Sequence, residues 1–167
     1  MAAPFRVAPL EDTHIRKEFT CAVPALDRYF HQQVTQDIRR RITSCFVAVT
    51  ADDEITGYYT LASTSVALSG LPAALAKKLP RYPLVPAVRM GRLAVSTAHR
   101  GMGLGAALLA NALQRASRAE IAAYALVVDA KDAQAAAFYA HHGLIALPDA
   151  ELTLFLPLAS VSVLVNG

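Results

Sequence analysis

His99-Arg100-Gly101-Met102-Gly103-Leu104-Gly105-Ala106, read together with the segments on either side, decides the class of this chain. Before it, Ala87 to Val95 is a run of strand type. After it, Gly103 to Arg118 repeats apolar residues at helical spacing, with Leu104, Leu108 and Leu113 on the inward face. Three glycines at alternate positions let the backbone come close to a ligand and turn its N–H groups to one side. The helix that follows adds its own unpaired N–H groups and the positive end of its dipole. Such a strand–turn–helix junction is an anion site suited to a pyrophosphate, with Arg100 as a fixed charge at its rim. A tight turn holding no ligand is the competing reading, but one glycine would suffice for that.

The kind of pyrophosphate can be narrowed. A mononucleotide loop would end in Gly-Lys-Ser/Thr, whereas Gly105 is followed by Ala106-Ala107. A dinucleotide fingerprint fits loosely as Gly101-x-Gly103-x-x-Ala106, with Asp129 where a ribose-binding acid would stand. However, fewer than about forty residues follow Asp129, too few to finish a doubly wound sheet.

Working outward, Phe5 to Leu10 reads as a first strand, followed by a turn or helix over Glu11 to Phe19. Pro24 opens a helix whose apolar face is Leu26, Tyr29, Phe30, Val34 and Ile38 and which ends in Arg39-Arg40-Arg41. Ser44 to Thr50 and Ile55 to Ala62 form a hairpin around Ala51-Asp52-Asp53-Glu54. Leu71 to Leu79 reads as a short helix, and Pro80 to Pro86 as a stiff connection. Beyond the glycine turn, Ala123 to Asp129 is an apolar strand of the doubly buried kind. Ala133 to His142 is a helix stopped by Gly143, and Leu152 to Leu158 closes the sheet. An antiparallel first half joined to a β-α-β-α-β second half predicts one α/β domain over residues 1–167 with a central mixed sheet.

Composition limits the function classes. The chain has 167 residues, of which 54% are hydrophobic and 17% charged, enough apolar material for a closed core. Sixteen Lys and Arg against thirteen Asp and Glu give a net charge of +3, compatible with an anionic partner but not diagnostic of one. Met1-Ala2-Ala3-Pro4-Phe5-Arg6 has no apolar core of the signal-peptide kind. The apolar stretch Leu152 to Val165 contains Pro157 and is shorter than the ~18 residues of a membrane span. A cytoplasmic protein with no membrane association is expected. Cys21 and Cys45 read as buried thiols, and the five histidines show no metal-ligand spacing, so no metal is expected.

These residues resemble a known family. Arg100-x-x-Gly103-x-Gly105, after the strand Gly91-Arg92-Leu93-Ala94-Val95, is similar to the acetyl-CoA motif of the GNAT family of N-acetyltransferases. Ala135-Ala136-Ala137-Phe138-Tyr139-Ala140-His141-His142-Gly143 resembles that family's second motif. Three further segments resemble its toxin branch, whose members belong to toxin–antitoxin pairs: Val23-Pro24-Ala25-Leu26-Asp27-Arg28-Tyr29, Gly57-Tyr58-Tyr59-Thr60-Leu61 and Leu79-Pro80-Arg81-Tyr82-Pro83. The likeness spans nearly the whole chain. Leu144, where an aromatic often follows the glycine, and Met102, where a polar residue is common, are departures that touch no catalytic group.

The resemblance implies a mixed, mostly antiparallel sheet flanked by helices, in which two neighbouring strands splay to admit the pantetheine arm of acetyl-CoA. It implies that Leu93, Ala94 and Val95 hold that arm, that Arg100, Gly101, Met102, Gly103, Leu104, Gly105 and Ala106 hold the pyrophosphate, and that Phe138 also borders the cosubstrate. It further implies Tyr139 as the catalytic residue, charged tRNA acetylated on its α-amine as the substrate, a ribbon-helix-helix antitoxin as a partner, and a homodimer. The apolar tail Val161 to Val165 offers a surface for a second copy.

The chemistry can be weighed independently. Tyr139 follows Phe138, so it points about 100° away on the helix. With Phe138 inward, Tyr139 would face a cleft. A phenol of pKa ~10 can donate a proton or a hydrogen bond to a departing thiolate of ~8.5; the alternative is an aromatic that merely lines the pocket. No carboxylate stands out as general base. That favours an α-amine of pKa ~8, partly neutral at pH 7, over a lysine of ~10.4. Arg39, Arg40, Lys77, Lys78, Arg81 and Arg92 are candidates for RNA contact, and Arg89 belongs with them; Arg92 could instead serve a structural ion pair. A protein or small-molecule amine as acceptor, and a non-catalytic binding module, remain as other readings.

Overall fold

The computed structural model describes residues 5–161. Its strands are β1 (Phe5–Pro9), β2 (Ser44–Thr50), β3 (Ile55–Ala67), β4 (Leu84–Val95), β5 (Ala125–Asp129), β6 (Ile145–Leu147) and β7 (Ala150–Pro157). Its helices are α1 (Pro24–Arg28), α2 (Val34–Arg39), α3 (Ala73–Ala76), α4 (Leu104–Arg118) and α5 (Ala133–His141). The strands run in the order β1-β2-β3-β4-β5-β7-β6. β4 and β5 are parallel, and the other pairs with a defined register are antiparallel. The mixed α/β architecture is the expected one.

The chain folds into two compact units, each with its own packing. One holds residues 5–62 together with Gly91–Ala112. Here β2 and β3 pair from Ser44↔Leu61 to Val49↔Ile55, with a bulge between Ala48 and Val49. Phe19, Phe30, Val34, Val47, Val49 and Tyr58 are buried in one cluster. Phe30 stacks on Tyr58 with centroids 4.2 Å apart. The Tyr58 hydroxyl donates to the Leu26 carbonyl at 2.8 Å, which ties β3 to α1. Cys21 and Cys45 are buried free thiols in this cluster, and burial pushes Cys45 up to about 12.

The helix predicted from Pro24 is interrupted: Tyr29–Gln33, between α1 and α2, is a π-helical turn. Such a turn places one extra residue in the helix and shifts every later side chain around the axis. α2 ends without a glycine. Arg41 adopts a left-handed conformation (φ 60°), its N–H bonds the Ile38 carbonyl at 3.0 Å, and the Ile42 N–H bonds the Asp37 carbonyl at 2.9 Å. This is the double closure usually built on glycine.

The other unit holds Ser63–Met90 and residues 113–161. Leu71, Val85, Ala87, Ala125, Val127 and Phe155 form its core. β5 is buried from Ala125 to Val128, as its apolar run predicts. The proline-rich connection is shorter than predicted, because Leu84, Val85 and Pro86 already belong to β4. Pro86 costs little there: only its carbonyl is used, accepting the Tyr124 N–H at 2.8 Å. Asp132 caps α5 by accepting the Ala135 N–H at 2.8 Å, and Gly143 (φ 97°) stops it. The apolar tail beyond Val161 lies outside the described residues. No helix among the described residues is long and apolar enough to cross a membrane.

Candidate functional site

The glycine turn is built as an anion cradle. Gly101 (φ 78°) and Gly103 (φ 75°) are left-handed, and Met102 between them is not. Left-handed residues set among others are the backbone pattern from which anion-binding turns are made. A Cβ placed at either glycine would meet nothing within 4 Å, so packing does not explain them; the backbone conformation does. α4 starts directly afterwards at Leu104 and runs fifteen residues, long enough for a full dipole. Leu104 and Leu108 are buried, and Met102 is exposed at the turn. Gly105 and Ala106 lie in the first turn of α4.

α4 is held against β3 at two points. The Tyr59 hydroxyl donates to Asn111 Oδ1 at 2.5 Å. At Gly57, a Cβ would sit 2.8 Å from Leu108 Cδ1 and 2.9 Å from the Ala94 carbonyl oxygen. Gly57 therefore permits the contact that fixes the start of α4. The sequence carried the signal, since an isolated glycine within a strand marks a close approach.

Arg100 behaves differently from a free rim charge. It is exposed, but its Nη2 donates to the Cys21 carbonyl at 2.6 Å. Asp27 holds the same segment, accepting from the Cys21 N–H at 2.9 Å and the Thr20 hydroxyl at 2.7 Å. The hydrogen bonds from Cys21 and Thr20 lower Asp27 below the usual carboxylate range, against the opposing effect of its burial. The Thr97 N–H reaches the Thr20 carbonyl at 2.9 Å. The approach to the glycine turn is thus braced on residues 20 to 27.

Leu93 and Val95 are half-buried, and Ala94 between them faces the core. The register of β4 with β5 runs from Ala87↔Ala125 to Met90↔Val128. Residues 92–95 lie beyond that paired stretch.

Tyr139 and Phe138 exchange the places expected of them. Tyr139 is 9% exposed and Phe138 is half-buried, its ring against both Tyr139 (5.3 Å) and His142 (4.8 Å). α5 is alanine-rich, so its apolar pattern has too little contrast to show which side faces inward. Burial raises the Tyr139 phenol to about 12. No described residue hydrogen-bonds its hydroxyl. The phenol therefore stays protonated through the physiological range.

Of the basic candidates, Arg39, Arg40, Lys77, Lys78 and Arg81 are exposed. Arg92 forms no ion pair with a described residue; its guanidinium carbon sits 3.4 Å from the centroid of the Tyr29 ring. Arg89 is ion-paired with Asp129, which also accepts from the Thr153 hydroxyl at 3.0 Å. That removes Arg89 from the free basic surface and Asp129 from any ribose-binding role. No group of three or more potential metal ligands occurs among the described residues.

Known proteins are similar to this chain over most of its length. Residues 12–144 match the family model described as the acetyltransferase (GNAT) family. The chain is 31% identical to the tRNA-acetylating toxin of Mycobacterium tuberculosis, over 99% of this chain and 97% of the relative. The solved structure of AtaT complexed with acetyl-methionyl-tRNAfMet superposes with a TM-score of 0.88 at 28% identity, covering 96% of this chain and 99% of that one. The structure of AtaTR bound with AcCoA gives 0.83 at 27% identity, covering 97% and 98%. With the family model matched from before α1 to the end of α5, and the glycine cradle in its place between β4 and α4, the chain belongs to the GNAT family of acetyltransferases.

Proposed function

We propose that this protein transfers the acetyl group of acetyl-CoA to the α-amine of an aminoacyl-tRNA and so blocks translation, as the toxin of a toxin–antitoxin pair. The observation that carries this reading is the end-to-end likeness to a tRNA-acetylating toxin. The cradle of Gly101, Met102 and Gly103 and the amides opening α4 suit a pyrophosphate, and AtaTR, a structural relative, binds AcCoA. Acetyl-CoA supplies the thioester carbon. Leu93, Ala94 and Val95 offer strand backbone to its arm, and Arg100 through Ala106 its phosphate seat, with Phe138 as a further contact.

Tyr139 is the general acid in this reading, its Oη carrying the proton that a departing thiolate needs. Its hydroxyl stays protonated at neutral pH and has no hydrogen-bond partner among the described residues, so the proton is present and unclaimed. An α-amine near pKa ~8 loses its proton readily enough to need no dedicated carboxylate base. The whole chain then works as one cytoplasmic acetyltransferase domain. The toxin reading brings with it a ribbon-helix-helix antitoxin and a homodimer. Arg39, Arg40, Lys77, Lys78, Arg81 and Arg92 are the cations offered to RNA phosphates.

The test is acceptor competition with labelled acetyl-CoA, in a mixture of charged tRNA, uncharged tRNA and protein. Label on charged tRNA alone is expected; label on protein with none on charged tRNA would overturn the reading. Tyr139→Phe should keep acetyl-CoA affinity and lose about 10²–10⁴ in turnover, the usual worth of a general acid. Full turnover in that variant would remove Tyr139 from the mechanism.

A further inference from the structure

Beside the π-helical turn lies a cavity of about 340 Å³ lined by Leu26, Arg28, Tyr29, Gln32, Gln33 and Arg92. Two guanidiniums, two amides and a phenol ring line it. The nearby carboxylate, Asp37, is not part of the lining; its pKa is lowered by hydrogen bonds from Gln33 and Tyr29 and, further, by the Arg92 charge. Arg92 is half-buried here, its central carbon 3.4 Å from the Tyr29 centroid. No described residue accepts a hydrogen bond from its guanidinium, so the ring satisfies one face and the donors at the edge are unclaimed. A cation held on an aromatic face with its fork open is a receptor for a phosphate or carboxylate.

The seat for Arg92 is itself fixed. The Tyr29 hydroxyl donates to Asp37 Oδ2 at 2.9 Å, and Gln33 Nε2 donates to Asp37 Oδ1 at 3.1 Å. Tyr29 and Asp37 are eight residues apart. On a plain α-helix that spacing turns the two side chains about 80° apart. The extra residue of the π turn makes it equivalent to a spacing of seven, within about 20° of alignment. The π turn is thus what brings Asp37 to the tyrosine.

We infer that this cavity is an anion subsite for the acceptor, in which the Arg92 fork takes a backbone phosphodiester of the RNA and Tyr29, held by Asp37, is its positioning residue. This rests on the tRNA-acetylating reading above. Arg28 and the Gln32 amide supply further donors around the same group.

The experiment measures acetyl transfer to charged tRNA as a function of salt for the wild type, Arg92→Lys, Arg92→Ala, Tyr29→Leu and Tyr29→Phe, with acetyl-CoA affinity by calorimetry as the control for folding. Arg92→Ala should raise KM about tenfold or more with kcat nearly unchanged. It should also flatten the slope of log KM against log salt by about 0.7 to 0.9, one phosphate's worth. Arg92→Lys keeps the charge and the salt slope but loses the fork, and so lies between. Tyr29→Leu should raise KM without altering acetyl-CoA affinity, and Tyr29→Phe, which keeps the ring, should recover most of that loss.

Arg92→Ala or Arg92→Lys with wild-type KM and slope, and intact acetyl-CoA binding, would overturn the inference alone. If Arg92→Ala does not fold, Arg92→Lys decides by its KM. A wild type that leaves charged tRNA unmodified would overturn the functional reading, and this inference with it.

Discussion

Replacing Gly57 by alanine tests whether the start of α4 is set by its contact with β3. The added Cβ would stand 2.8 Å from Leu108 Cδ1, where carbon atoms ordinarily keep ~3.5 Å or more, a shortfall of about 0.7 Å. It would also stand 2.9 Å from the Ala94 carbonyl oxygen, about 0.4 Å inside a normal carbon–oxygen contact of ~3.3 Å. Neither neighbour can yield freely. Leu108 is fully buried, and the Ala94 oxygen is strand backbone. Overpacking of this kind costs about 1–3 kcal/mol, and at about 2–4 °C per kcal/mol for a chain of this size Tm should fall by roughly 2–12 °C. The relief available is an outward shift of α4, which carries the cradle amides with it. Acetyl-CoA affinity should therefore drop as well, by about tenfold. Thermal unfolding by circular dichroism and titration calorimetry read the two effects separately. A Gly57→Ala protein with unchanged Tm and unchanged acetyl-CoA affinity would refute the account of how the cradle is held.

Three other outcomes are expected. The pH profile of turnover should show no falling limb from Tyr139 below about 12, because burial raises the phenol; a limb near 9 or 10 that vanishes in Tyr139→Phe would contradict this. The linked effect on stability has a definite sign: the folded state holds that proton more tightly than the unfolded chain, so its contribution is complete below pH ~10 and is lost as pH rises through about 12. Asp132→Ala removes the side-chain cap of α5 and should cost about 1 kcal/mol, visible as a Tm lower by about 2–4 °C. Arg41→Gly relieves a left-handed non-glycine residue and should raise stability by about 1 kcal/mol in urea titration, and no gain would mean that Arg41 carries no strain.

Most of the fold could be read in the sequence where apolar periodicity was strong. β2, β5 and α4 fall within a residue or two of their predicted ends, and the Gly101–Gly105 turn sits where a strand meets a helix. What escaped was set by tertiary contacts. The π turn at Tyr29–Gln33 leaves the spacing of Phe30, Val34 and Ile38 looking like ordinary helix, so the pairing of Tyr29 with Asp37 could not be seen. Phe138 and Tyr139 could not be ordered, because both are apolar-bodied and flanked by alanine. Arg92 reads from the sequence as an RNA contact or a structural ion-pair partner, and its seat on the Tyr29 ring is a tertiary contact that no spacing shows. β6, only three residues long, is strand because β7 pairs with it, not because of its own composition.

Both natural thiols of this chain are sealed in its interior, and at neutral pH Cys45, at about 12, is ionised in only about one molecule in 10⁵. Alkylating probes attack the thiolate, so neither native cysteine competes for them in the folded protein. A cysteine introduced at an exposed position such as Asp52 or Glu120 would take a fluorophore or spin label alone, in an otherwise unaltered chain. The molecule arrives ready for site-directed labelling, and its motions during turnover can be followed without first engineering its own sulfur away.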